Sequence, residues 1–543
     1  MRKRIIVMST MVVLSIASIF GCTSEKSNVT TQNSVEETTE DSTVSNVTAT
    51  STSEAIPEGY DDEDYKRVLV AESGTSADEG VTVVESTKEN TIYLKESKAE
   101  SSATGVTVDG SVVTITAPGE YIVTGTLNDG QLVVDCQEKG TVEIILNNAS
   151  ISNSANSPIY IIDSKKVLLI LAENSDNTLN DAESYTYVDT EAEEPSACLF
   201  SKEDLVIAGA GSLVVNGNFN NGIASKDTLK ITGGNITVNA ANNGIKGKDC
   251  LMITGGAFQI NAQDDAVHSN GTFELTGGTL NLASGDDGIH ADGTLTITDG
   301  TIDISQSYEG VESPEIIFNG GTTHIVASDD GTNAAGGSAT TSSGTRPGGM
   351  MSTSTGTMVI NDGYLYIDAD GDGLDANGNL TMNGGCVIVE GPTNDGNTAV
   401  DYDGEFIING GYLIASGSSG MVEGVSTSST ENSITAYFNS ALSAGSTFAI
   451  NDSSGNMVMA FEVSKSSECF LFASSELQTG ETYTICTGGV CDGTSQDGLY
   501  TEGTYTGGTE LGSFTVSGTV TTYGTGGGMG NMGGTPGGNK GWR

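Results

Sequence analysis

Paired acids recur through the middle of the sequence at a fixed step. Asp264-Asp265, Asp286-Asp287, Tyr308-Glu309 and Asp329-Asp330 follow the amide pairs Asn220-Asn221 and Asn242-Asn243. The residue closing each pair falls at Gly222, Gly244, Ala266, Gly288, Gly310 and Gly331, a spacing of 22, 22, 22, 22 and 21. A period in this range marks a solenoid. Stacked units place equivalent residues one strand spacing apart, about 4.8 Å, so the pairs become two columns rich in carboxylates. Like charges at that distance repel by roughly 1 kcal/mol in bulk water and several times more where water is partly excluded. Between Lys248 and Lys465 the one lysine or arginine is Arg346, so no internal counter-ion is expected and the ladder needs a bound cation. Hard oxygen donors on a turn suit calcium better than a transition metal.

The theme continues downstream. The segment from Asp368 to Asp375 carries Asp370 and Asp372 at the spacing of the first half of an EF-hand loop, but Asn379 stands where that loop needs a glutamate, and strand patterns flank it. It reads as the same acidic turn, with Asp372-Gly373-Leu374 in register with Asp287-Gly288-Ile289, and Asp401 and Asp403 repeat it in the next coil. The expected calcium ligands are Asp264, Asp265, Asp286, Asp287, Glu309, Asp329, Asp330, Asp370, Asp372, Asp375, Asp401 and Asp403. Solvated Asp-Gly turns are the alternative. His268 and His290 lie one coil apart in an outward column that continues as Lys246 below and Glu312 above. Zinc is disfavoured because no Cys/His spacing of zinc type is present.

Strands must hold these turns. Around each Thr-Gly-Gly the apolar residues alternate, as Leu229, Ile231, Ile236 and Val238, then Leu251, Ile253, Phe258 and Ile260. One further apolar residue follows each acidic turn, at Ile223, Ile245, Val267, Ile289 and Val311. Period two predicts three short strands per unit, bent by Gly-Gly, Asn-Gly and Asp-Gly pairs. The fold class is all-β: a parallel β-helix of about 22 residues per coil, right-handed by the prevalence of right-handed crossovers, with a C-terminal β cap or small β-sandwich.

Composition bounds the rest. The 543 residues include 71 acidic against 21 basic side chains, a formal charge of -50. Nucleic acid and anionic membrane are poor partners, since phosphate needs the opposite sign. Residues 1–22 read as a lipoprotein signal, with basic Arg2, Lys3 and Arg4, an apolar run and a lipobox ending in Cys22. Lipidation of Cys22 would tether an extracellular protein to the cell membrane, its one membrane contact. Residues 23–56 read as a disordered stalk, 57–200 as an N-terminal cap with irregular first coils, and 201–430 as the regular β-helix with a mobile insertion at 332–357. Residues 431–518 read as the C-terminal β cap and 519–543 as a glycine-rich tail. Cys486 and Cys491 are near enough in sequence to close a small loop, whereas Cys250 and Cys386 sit beside strand positions as buried thiols.

Taken together, Asp286-Asp287-Gly288-Ile289-His290-Ala291-Asp292-Gly293, Ser307-Tyr308-Glu309-Gly310-Val311-Glu312, Asp370-Gly371-Asp372-Gly373-Leu374-Asp375 and Gly391-Pro392-Thr393-Asn394-Asp395-Gly396 resemble the bacterial carbohydrate-binding proteins built on a polysaccharide-lyase-like right-handed β-helix. The resemblance covers roughly residues 100–515. It implies extracellular proteins with calcium in the coils that bind plant cell-wall polysaccharides, cellulose and acidic pectic chains among them. On this reading calcium bridges protein carboxylates to uronates. Tyr308, Tyr364, Tyr366 and Tyr402 then offer stacking surfaces, with His268, His290 and Glu312 alongside. The competing reading is a calcium-dependent pectate lyase, which needs a lysine or arginine base; Lys246 and Lys248 are its candidates. A surface adhesin without a sugar ligand is the third. A non-catalytic binding protein is favoured, because the acidic coils offer so few bases.

Overall fold

The computed structural model describes residues 90–187, 193–335 and 356–525. The expected signal with Cys22, the stalk, the first part of the N-terminal cap, Arg346 with residues 336–355 of the 332–357 insertion, and the end of the tail lie outside the described residues. Every named element is a β-strand, and among the described residues no helix is long and apolar enough to cross a membrane.

One coil shows how the repeat works. Thr228–Ile231, Asn235–Ala240 and Ile245–Gly247 pair in parallel with Cys250–Ile253, Ala257–Ala262 and Val267–Ser269 of the next coil. The register aligns Leu229 with Leu251, Ile236 with Phe258 and Ile245 with Val267, one repeat apart in each case. Repeated coil on coil, the third strands build a 13-stranded sheet, and the first and second strands merge into a 27-stranded one. The molecule is therefore the parallel β-helix that the period predicts. Alternate side chains enter a single continuous core, where Leu229, Ile231, Ile236, Val238 and Ile245 are fully buried.

The bend between the first two strands explains the Thr-Gly-Gly marker. Its second glycine has a left-handed φ of 101° at Gly234, 105° at Gly256 and 104° at Gly278, a conformation that costs side-chain-bearing residues strain. Where the marker begins with Asn, the amides form a ladder: Asn361 donates to Asn319 (2.8 Å), Asn383 to Asn361 (2.8 Å) and Asn409 to Asn383 (2.9 Å).

Both ends of the stack are closed by antiparallel strands, which remove the open edge a terminal coil would leave. At the first end the hairpins Thr91–Glu96/Lys98–Ser101 and Val106–Asp109/Val112–Ile115 do this. Parallel coiling already runs from Gly119–Leu127 onto Thr141–Ser152, inside the segment read from sequence as cap and irregular coils. At the other end Tyr412–Gly417 pairs antiparallel with Ser467–Ser474, which pairs with Ser433–Leu442. Val520–Tyr523 then joins Ser433–Leu442 in parallel, so the glycine-rich tail begins later than residue 519. The cap also holds a five-stranded sheet and a second core rich in phenylalanine, with Phe448, Phe461, Phe470 and Phe472. That core packs on the outer side of the last coils. In Tyr364–Ala369, Leu365 and Ile367 point into the helix while Tyr364 and Tyr366 pack against the cap.

Candidate functional site

The acidic turn links the second strand of each coil to the third. Its inner column is buried, with Asn221, Asn243, Asp265 and Asp287 at 5, 2, 5 and 5% exposure. Burial is tolerated because Asn221, Asn243 and Asp265 each accept a hydrogen bond from the next coil, Asn221 Oδ1 from Asn243 Nδ2 (3.1 Å). Asp265 N–H donates to Asn243 Oδ1 (3.2 Å) and Asp287 N–H to Asp265 Oδ1 (3.0 Å). The pattern resumes as Asp372 N–H to Asp330 Oδ1 (2.6 Å) and Thr398 N–H to Asp372 Oδ1 (2.5 Å). One carboxylate oxygen is thus committed to the backbone and the other is free to face a cation.

What the free oxygen faces changes along the axis. The neighbouring outward column runs Lys246, His268, His290, Glu312, Asn333, Asp375 and Asp401. In its first half His268 Nδ1 lies 2.6 Å from Asp265 Oδ2, and His290 Nδ1 lies 2.9 Å from Asp287 Oδ2 and 2.7 Å from Glu312 Oε2. The two rings stack at 4.9 Å and 8°. Burial works against the His290 imidazolium, but Asp287 and Glu312 outweigh it and push its pKa up to about 11. The expectation that the ladder lacks an internal counter-ion is therefore corrected here: His290 supplies one. Period alone showed that the histidines neighbour the turn, not that their Nδ1 atoms turn toward it.

In the second half the column becomes acidic. Ligand oxygens of Asp330, Asp372 and Asp375 lie within 4.8 Å of one another, as do those of Asp287, Glu309 and Glu312. Two further groups combine Asp264, Asp265 and Asp286, and Asp265, Asp287 and His290. Burial first, then neighbouring carboxylates, push Asp330 up to about 6, Asp372 and Glu309 to about 7 and Asp375 to about 8. Asn333 stands in register between Glu312 and Asp375. Its Nδ2 donates to Glu309 Oε2 (3.1 Å) while its Oδ1 is buried without a partner. Crowded hard oxygens plus an orphaned carbonyl-type acceptor make a donor set that fits calcium.

Other expected residues fall elsewhere. Gly371, not Asp370, continues the backbone column above Asp329, through its N–H to Asp329 O (2.8 Å). Asp370 lies 3.8 Å from Lys465 Nζ, which binds Asp368 Oδ1 (2.7 Å) and Ala369 O (2.6 Å) from the cap. Asp329 and Asp286 stay in the outer column beside Tyr308. Asp401 is half-buried in register with Asp375, and Asp403 is exposed on the following bend. Tyr308 is 47% exposed and available for stacking. Tyr364 and Tyr366 are not: Tyr364 donates to Asp497 beneath the cap, and both pack near His324. Tyr402 is held by its hydroxyl to Gly424 O (2.5 Å) and packs on Phe406, a capping role rather than an open surface. Lys246 is half-buried, and burial lowers its pKa against the pull of Asp265, Asp264 and Asp292. Lys248 is exposed, 3.7 Å from Asp249 Oδ1. Cys486 and Cys491 form no disulfide, and neither do buried Cys250 and half-buried Cys386.

One group escaped the sequence reading: Tyr185 stacked on Phe219, with Tyr187 set edge-on to both. A signal was present, because Phe219 occupies a turn position filled in later coils by Ala241, Gln263, Gly285, Ser307 and Ser328.

Fold and site define a parallel β-solenoid with a carboxylate ladder along one edge. Residues 109–347 match the model of the carbohydrate-binding domain-containing protein family. A relative from Acetivibrio thermocellus, described as a carbohydrate-binding domain-containing protein, is 46% identical over 136 residues, 25% of this chain and 48% of its own. The chain thus spans about half the length of that curated relative. A solved structure described as the polysaccharide lyase-like protein from C. thermocellum, gadolinium derivative, is 36% identical, with 43% of this chain and 92% of that one covered and a TM-score of 0.37.

Proposed function

We propose that this protein is a calcium-dependent, non-catalytic carbohydrate-binding protein of the cell surface, held by a lipid on Cys22 and recognising plant cell-wall polysaccharide. The observation that carries the calcium assignment is the second half of the ladder. There Asp330, Asp372 and Asp375 crowd within 4.8 Å, and the orphaned Asn333 Oδ1 lies one coil from Asp375. Calcium held by these residues and Glu309 would supply a positive site for the carboxylates of an acidic chain. Carbohydrate binding itself is supported by the family of residues 109–347. Pull-down on insoluble pectin with and without calcium tests the whole: retention is expected to drop at least about tenfold in excess chelator, and equal retention in both would overturn the calcium dependence.

The lyase reading has one observation in its favour, the lowered pKa of Lys246 beside Asp264 and Asp265, since proton abstraction next to a uronate carboxylate needs a base that is neutral part of the time. Against it, Lys246 lies in the half of the ladder where histidines already meet the carboxylates. Polygalacturonate incubated with the protein and calcium is expected to give no ultraviolet absorbance of unsaturated product. Robust signal that disappears in a Lys246→Ala/Lys248→Ala double variant would convert the assignment to lyase.

A further inference from the structure

At the amide end of the ladder the turns carry Asn220, Asn221, Asn242 and Asn243 in place of carboxylates. Asn220 and Asn242 stand there half-buried in the outer column, and the half-exposed aromatic group sits beside them. Tyr185 and Phe219 stack at 4.4 Å and 20°, and Tyr187 meets them at 6.2 and 6.4 Å with its ring turned by 63° and 68°. The arrangement is held from beneath. Asp181, 7% exposed, accepts from the Tyr185 hydroxyl (2.6 Å) and from Asn218 N–H (2.5 Å), which fixes Tyr185 over the ring that precedes Asn220. Buried hydrogen bonds thus position an apolar surface that remains partly open to water. Aromatic rings beside side-chain amides are what a pyranose ring requires, because its C–H face is apolar and its rim is lined with hydroxyls; the Asn242 Nδ2 also donates to Asn221 Oδ1 (3.4 Å). All five residues lie inside residues 109–347, the carbohydrate-binding domain match, whereas Tyr364, Tyr366 and Tyr402 lie outside it.

We propose that Tyr185, Tyr187 and Phe219 form a stacking platform for a pyranose ring whose hydroxyls are read by the Asn220 and Asn242 amides, a sugar subsite that works without calcium. The proposal rests on the carbohydrate-binding reading and adds to it a division of labour along one edge. Neutral rings stack at the amide end, and acidic rings meet the metal at the carboxylate end, the two joined by a continuous row of turns. A chain lying parallel to the solenoid axis would pass from the platform to Tyr308 in four coil steps, about 19 Å.

Calorimetric titration separates the parts, using a β-1,4-linked glucose hexamer and an α-1,4-linked galacturonate hexamer, each in calcium and in chelator. The glucose hexamer is expected to bind in both buffers, and Tyr187→Ala and Phe219→Leu are each expected to weaken it about tenfold, the usual cost of losing a central aromatic contact. Phe219→Leu keeps an apolar side chain without the ring, and Tyr187→Ala removes a ring from the surface, so an unchanged melting curve verifies folding in each. Calcium titration of both variants should match the parent. Unchanged glucose-hexamer affinity in both variants, or its loss in chelator, would overturn the platform while leaving the carbohydrate-binding reading intact. A parent protein that binds neither hexamer would overturn both. Weakening of the galacturonate hexamer alone would overturn the division of labour.

Discussion

In excess chelator the melting temperature falls as pH is raised from about 5 to about 9, and saturating calcium restores it. The cause is the crowding at the second half of the ladder, where Asp330, Asp372, Glu309 and Asp375 are pushed up to about 6, 7, 7 and 8 from ordinary values of 3.8 for the aspartates and 4.5 for the glutamate. Raised carboxyl pKa values mean that the folded chain keeps protons that the unfolded chain has already released. Their stabilising contribution is whole below pH about 4 and is lost as pH climbs through 6 to 8. Calcium takes the place of those protons, so its affinity should rise across the same window. At a free concentration about a thousandfold above the dissociation constant, each site adds about 4 kcal/mol. Differential scanning calorimetry at several pH values decides the matter. A melt that ignores both chelator and pH would show that the carboxylates are relieved in another way.

Replacing His290 by alanine should cost about 3 kcal/mol in chelator, measured by urea unfolding, and markedly less in calcium. The side chains of His290, Asp287 and Glu312 are only 20, 7 and 29% exposed, and removing the imidazole leaves Glu312, whose carboxylate His290 holds below its ordinary range, unpaired beside Asp287. The loss should shrink in a His290→Ala/Glu312→Ala double variant, where the stranded carboxylate is gone. Calcium rescues the single variant because oxygens of Asp287, Glu309 and Glu312 already lie within 4.8 Å of one another. In effect the substitution would convert a rung neutralised by histidine into one neutralised by metal. A cost below about 0.5 kcal/mol, with no response to calcium, would mean that the imidazolium is not what keeps Glu312 charged.

Much of this architecture is written in local spacing. The 22-residue step, the alternation that sends Leu229, Ile231, Ile236 and Val238 inward, and the columns joining Asp265 to Asp287 and His268 to His290 all follow from positions in the chain. A coil meets its neighbour at a fixed sequence separation, so period translates directly into contact. Only the tertiary structure decided which carboxylates have a protein cation. The direction of the His268 and His290 Nδ1 atoms is a matter of side-chain geometry, and Lys465 reaches Asp368 and Asp370 from a cap whose strands follow no repeat. The same holds for the tyrosines: Tyr364 and Tyr366 alternate outward as the pattern requires, yet the phenylalanine-rich core of the cap covers them, while a departure from the coil lays Tyr185 on Phe219. Periodicity specifies which face of a strand a residue occupies. What comes to rest on that face is settled by non-repeating segments distant in sequence, whose packing no spacing rule encodes.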